Sequence, residues 1–237
     1  MEMSMTLYAI ILTAFIAYVV VSAAITARRM KQEKAELKIS RYKKSMIKIW
    51  ALTAIIICIV FVSSISFYDI GFRPLDFTNN SRPTIMAFVA CGVLLVHMIM
   101  PLLSAKYRDR MTKRYSKDLA TSLPCNNKER LWWVAVSMTA GVTEEIIFRG
   151  FLFYLLIAVF PAISTVMIIV AASAVFGLCH MYQGINGIIM TAAIGALLGY
   201  LFIATGSLIP VILLHFIIDL ANVFVLPHAA DTKIIAE

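Results

Sequence analysis

Three charged side chains interrupt an otherwise apolar run, Gly141-Val-Thr-Glu-Glu-Ile-Ile-Phe-Arg-Gly150. Glu145 and Arg149 are four residues apart, so on a helix turning about 100° per residue they share a face and can neutralise each other. Glu144 points about 100° away and has no partner in the segment. One neutralised pair beside one spare carboxylate suits a site where a general base stays reactive next to a charge that holds it in place. The competing reading of the same residues is a structural ion cluster that locks helices together, since buried ion pairs also serve specificity.

Two further polar patterns follow in apolar surroundings. Phe176-Gly-Leu-Cys-His180 closes one apolar run, and His215-Phe-Ile-Ile-Asp219, followed by Asn222, lies inside another. Residues 215, 219 and 222 are spaced i, i+4, i+7 and so occupy one helical stripe. Ionisable groups at membrane depth face protein or water, not lipid, and mark functional sites by default. Each is costly to bury alone, so His180 and His215 are expected to meet the Glu144 carboxylate across one cavity. His97 reads as a packed, hydrogen-bonded core residue, and His228 as a solvated residue beyond the last helix. Phe148, Phe151, Phe153 and Tyr154, at helical spacing, read as packing residues and not as a substrate slot.

The elements that must position these groups are membrane helices. The 237-residue chain is 61% hydrophobic and 14% charged, where a soluble domain is roughly 45–50% apolar and about 25% charged. The expected fold class is all-α, a polytopic transmembrane helical bundle of about seven spans plus an interfacial helix. Apolar runs place spans near residues 5–27, 49–68, 84–103, 163–179, 187–204 and 208–226. The first reads as a retained helix, not a cleaved signal peptide. Residues 131–160 are too long for one span. Gly141 is the expected break, between an interfacial helix carrying Trp132 and Trp133 and a site-bearing helix over 143–160 that Thr143 would cap and Pro161 would end. The domain reading is a three-span region with two basic cytoplasmic loops over 1–130, and a catalytic core over 131–237.

The net charge of +8 is not a nucleic-acid signature. Of 21 Lys and Arg, 17 lie in residues 28–48 and 106–130. Two basic loops separated by two spans lie on one side, which the positive-inside rule makes cytoplasmic, in a cell membrane, with the N-terminus outside. The expected partners are the lipid bilayer, including its anionic head groups, and a peptide or protein substrate, with no nucleic acid. The four cysteines (Cys58, Cys91, Cys125, Cys179) have no CxxC spacing. They imply neither a disulfide framework nor a cysteine zinc site.

Taken in order, Glu144-Glu145-x-x-x-Arg149, Phe176-x-x-x-His180 and His215-x-x-x-Asp219 resemble the three motifs of the CAAX-protease and bacteriocin-processing family, the CPBP or Abi membrane proteases, whose eukaryotic member is the Rce1-type CAAX prenyl protease. The resemblance covers about Gly141 to Asn222. It implies an intramembrane endopeptidase with a cavity open toward the cytosol. Glu144 would be the base that activates water, His180 would help hold that water, and His215 with Asp219 would form the oxyanion site. Phe176, Glu145 and Arg149 would support them. Asp219 departs from members with Asn there. An ionised Asp cannot donate to an oxyanion, so it either orients His215 or is protonated, with Asn222 as a substitute donor. No cofactor is expected. A second reading is a zinc protease with His180, His215 and Glu144 as ligands, although the sequence lacks HExxH. A third is a non-catalytic bacteriocin-immunity or transport protein, since intramembrane Glu, His and Asp also build proton relays.

Overall fold

The computed structural model describes residues 4–30, 38–75, 81–107 and 123–225. Their regular structure is entirely helical. Helices α1 (Met5–Met30), α2 (Lys38–Val62) and α3 (Ser81–Leu103) come first. A bent helix follows, made of α4 (Asn127–Glu145), a π-helical segment (Ile146–Leu152) and α5 (Phe153–Val159). Then come α6 (Thr165–Cys179), a 3₁₀ turn at Met181–Gln183, α7 (Gly184–Thr205) and α8 (Leu208–Val225). Three stretches, Met5–Met30, Lys38–Val62 and Met181–Thr205, are long and apolar enough to cross a membrane. Thr84–His97, Thr165–Cys179 and Leu208–Ala221 are shorter apolar helices.

Ile10, Val21, Ile47, Phe61, Ile85 and Val93 stand exposed along α1–α3. In water, apolar surface on this scale would drive association; against acyl chains it is matched. The chain is an integral membrane protein. Its inner face packs through aromatic edges: Phe15 against Phe148, Phe148 against Phe176, and Phe153 against Phe202. Phe151 is buried, and the Tyr154 hydroxyl pairs with that of Tyr8. The four aromatics after the glutamates therefore serve helix packing.

The first basic stretch, expected over 28–48 as a loop that is helical at the interface, is divided between the end of α1, which carries Arg28 and Arg29, and the start of α2. Lys38 to Lys48 form the opening turns of α2. Lys38 is buried and holds α2 to the segment ahead of α4, donating from Nζ to the Leu123 carbonyl (2.9 Å) and to Cys125 Sγ (3.0 Å). Glu129 Oε2 lies 3.8 Å from the same ammonium. The start of α4 is a reciprocal cap: Asn126 Oδ1 accepts from the Glu129 amide (2.9 Å), and Glu129 Oε2 accepts from the Cys125 amide (2.8 Å). Asn-x-x-Glu here resembles a capping box, except that the glutamate takes the amide of Cys125, the residue before the cap.

Gly141 does not break the helix. α4 runs through it without interruption, and Thr143 is no cap, because its hydroxyl donates to the Thr139 carbonyl within the same helix (2.7 Å). Gly141 is instead the point of closest approach to α8. A Cβ there would lie 3.1 Å from the Ile212 carbonyl oxygen and 3.2 Å from the Phe216 nitrogen. A small residue lets two backbones meet where lipid supplies no hydrophobic drive for helices to associate. The irregularity comes later, where the helix widens into π geometry immediately after Glu145. Such bulges often fall at functional sites.

Candidate active site

Glu145 is fully buried at the end of α4, and Arg149 is buried in the π segment below it. Arg149 Nη1 donates to Glu145 Oε1 at 2.7 Å. Its Nη2 donates to the Gly195 carbonyl of α7 (3.0 Å), and the guanidinium lies 4.5 Å over the Phe176 ring of α6. One cation thus ties the bent helix to two neighbours through a charge-assisted bond, a backbone bond and a ring face.

The same Glu145 Oε1 lies 2.5 Å from Nδ1 of His215, which is buried on α8. An oxygen already accepting from a guanidinium is a carboxylate acceptor, so Nδ1 carries the proton and donates. That fixes the ring orientation, and with carboxylate oxygens at both of its edges the ring is held as an imidazolium, with a proton on Nε2 as well. The opposite edge of the ring, Nε2, then faces Glu144 Oε2 at 3.9 Å and Asp219 Oδ2 at 3.7 Å. The sequence offers no sign of this Glu145–His215 bond, since spacing within one helix says nothing about a partner 70 residues on.

Glu144 and Asp219 reach a cavity of about 140 Å³ bounded by α2, α4, the 3₁₀ turn and α8. Liquid water occupies about 30 Å³ per molecule, so there is room for a few waters or a short extended peptide segment. Ser45, Met46 and Ile49 of α2 and Leu123 line the cavity, as do His180, Tyr182 and Gln183 at the 3₁₀ turn. His180 Nδ1 lies 3.0 Å from the Phe176 carbonyl, which can only accept. Nδ1 is therefore protonated, and in the neutral ring Nε2 is an acceptor. The Trp133 indole donates to the Asp219 carbonyl (3.0 Å), so Trp133, read from sequence as an interface residue, also shapes the cavity.

Glu144 Oε2 and Glu145 Oε2 are buried and have no hydrogen-bond partner among the described residues. Three carboxylates share one guanidinium and one imidazolium here. A purely structural ion cluster would balance its charge and satisfy its acceptors. This one leaves acceptor capacity at the cavity wall, at Glu144.

Glu144, Glu145, Arg149, Phe176, His180, His215 and Asp219 thus meet in one cluster. The Asn222 side chain and His228 lie outside the described residues. His97 pairs with the Tyr107 hydroxyl on α3 and takes no part in the cavity wall. Tyr182 and Gln183 were not singled out from sequence; the available signal was two polar side chains directly after His180 and before a glycine. Among the described residues no three His, Cys, Asp or Glu are arranged to hold a metal ion.

A charged cavity enclosed by helices of an all-α membrane protein defines an intramembrane site. The family model for type II CAAX prenyl endopeptidases, Rce1-like, matches residues 126–221. That part of the chain is similar to this family, and the likeness supports a CAAX-type intramembrane protease at family level. The match begins at the Asn126 cap and ends two residues after Asp219, so it contains the whole charged cluster. Searches of curated proteins and of solved structures returned no match.

The shared Oε1 makes Glu145 the residue whose charge the cluster cannot lose. Glu145→Gln leaves a buried guanidinium without its counter-charge, and breaking a buried pair from one side costs about 3–5 kcal/mol. Arg149→Ala is expected to cost a similar amount, and the double variant less than the sum of the two. Thermal unfolding of the three variants in detergent measures this; additive losses would show that the two side chains are not coupled.

Proposed function

We propose that this protein hydrolyses peptide bonds of membrane-associated substrates, CAAX-like proteins or peptide precursors, with a water activated by Glu144. The observation that carries the reading is the Glu144 carboxylate itself. It stands at a cavity wall with a buried, unpartnered oxygen, while its neighbour Glu145 is held through Oε1 by Arg149 and His215 and does not line the cavity.

Water held between Glu144 and the acceptor Nε2 of His180 gives one proton to Glu144 as its oxygen attacks the substrate carbonyl carbon. The carbonyl π electrons move to oxygen. The His215 Nε2 edge, fixed from behind by Glu145, faces this developing charge. Asp219 is placed to orient that edge and, as a carboxylate, gives no hydrogen bond to the oxyanion. When the tetrahedral intermediate collapses, the C–N bond breaks and Glu144 returns its proton to the leaving amine. Met46, Ile49, Leu123, Val136 and Ala140 supply apolar walls suited to an aliphatic peptide segment. No step uses a metal.

The same reading gives the protein a direction. Arg28 and Arg29 close α1, and Lys38 and Lys43 open α2 at the same end as Glu129 and Trp132. The cavity borders that end. We place it in the cytosol, with substrate entering from there. Single cysteines introduced across 106–130 are then expected to resist an impermeant thiol reagent in intact cells; labelling from outside would reverse the topology.

Glu144→Gln keeps the side-chain shape and removes the base. The purified variant should unfold at the wild-type temperature and lose roughly 10²–10⁴-fold in peptide cleavage. Membranes of cells carrying it should accumulate an uncleaved precursor absent from wild type. Turnover near wild type in this variant would remove Glu144 as the base.

A further inference from the structure

In the proposed reaction the oxyanion has His215 Nε2 as a donor from the recognised motifs, and Asp219 withholds a second. The cavity wall can be searched for another by asking where each polar hydrogen goes. Glu144 and Asp219 accept. The Trp133 indole N–H is committed to the Asp219 carbonyl at 3.0 Å. His180 presents an acceptor to the cavity because its Nδ1 proton is held by the Phe176 carbonyl at 3.0 Å. The Tyr182 hydroxyl is different. It accepts from Gln183 Nε2 at 3.1 Å and gives its own proton to no acceptor among the described residues.

We infer that the Tyr182 hydroxyl, positioned by Gln183, donates a hydrogen bond to the substrate carbonyl oxygen as it becomes an oxyanion. The inference rests on the hydrolytic reading above. Tyr182 and His180 lie on the same wall, with ring centroids 6.0 Å apart, so one group that holds the water and one that meets the carbonyl oxygen sit side by side. The 3₁₀ turn that carries them is closed by the Gln183 amide donating to the His180 carbonyl at 2.8 Å. Gln183 has its place because residue 187 is glycine: a Cβ there would come within 3.0 Å of Gln183 Oε1. A phenol proton is a suitable oxyanion donor, since its hydrogen bond strengthens as negative charge develops on the carbonyl oxygen. No proton need be transferred.

The test compares wild type with Tyr182→Phe, using a quenched fluorogenic peptide that ends in a farnesylated CAAX sequence. The substitution removes only the hydroxyl and keeps the ring beside His180. A lost oxyanion donor is expected to lower kcat by about 10²–10³-fold, with KM and unfolding temperature near wild type. Gln183→Leu should lower kcat by a smaller factor, again at unchanged KM. An unchanged kcat in Tyr182→Phe, or a loss carried by KM alone, overturns the donor role while leaving the hydrolase intact. Absence of turnover of this peptide in wild type, together with no precursor accumulating in Glu144→Gln membranes, overturns the hydrolytic reading and the donor role with it.

Discussion

A single carboxylate oxygen, Glu145 Oε1, holds the site together. It accepts from Arg149 on one side and from His215 on the other, and neither side chain has another anion as close. Through Arg149 it fixes α6 and α7 against the bent helix, and through His215 it fixes α8. Four helices are thereby brought to one point in an environment where an unpaired charge is costly. The arrangement also decides the state of His215, because a ring bonded at Nδ1 presents only Nε2 to the cavity.

Around that point the backbone is built for close approach and not for regularity. Gly141 lets α4 and α8 touch one turn before the glutamates. The π segment starts right after Glu145, and all seven of its residues are buried, so a charged side chain sits where the helix is enclosed on every side. Phe176 sits among the polar groups, with its ring beneath Arg149 and against both His180 and His215. An apolar ring between polar groups excludes water from the ion pairs and so strengthens them.

Much of this was legible in the sequence, because helical spacing within one segment is local information. Glu145 and Arg149 could pair within their helix, Glu144 had no partner in the segment, and His215 and Asp219 shared a stripe. The all-helical membrane fold followed from composition alone. What spacing could not supply was anything set by a second helix. Gly141 reads as a break, and only the Ile212 and Phe216 backbones on α8 show that it is a contact. The Glu145–His215 bond joins residues far apart in sequence. Tyr182 and Gln183 gain meaning only once their turn is seen at the cavity wall. The chemical roles of Glu144, His180, His215 and Asp219 come from the family resemblance together with this geometry, not from spacing.

The most direct test is of the His215 ring, because its bond to Glu145 separates the two adjacent glutamates. Histidine-selective ¹⁵N NMR on the detergent-solubilised protein reports which ring nitrogen is protonated and how strongly it is hydrogen-bonded. The expected spectrum has His215 protonated at Nδ1 in a strong hydrogen bond, retained in Glu144→Gln and lost in Glu145→Gln. A His215 signal that survives Glu145→Gln and disappears in Glu144→Gln would contradict the account, since the carboxylate that orients the ring would then be the one assigned to water.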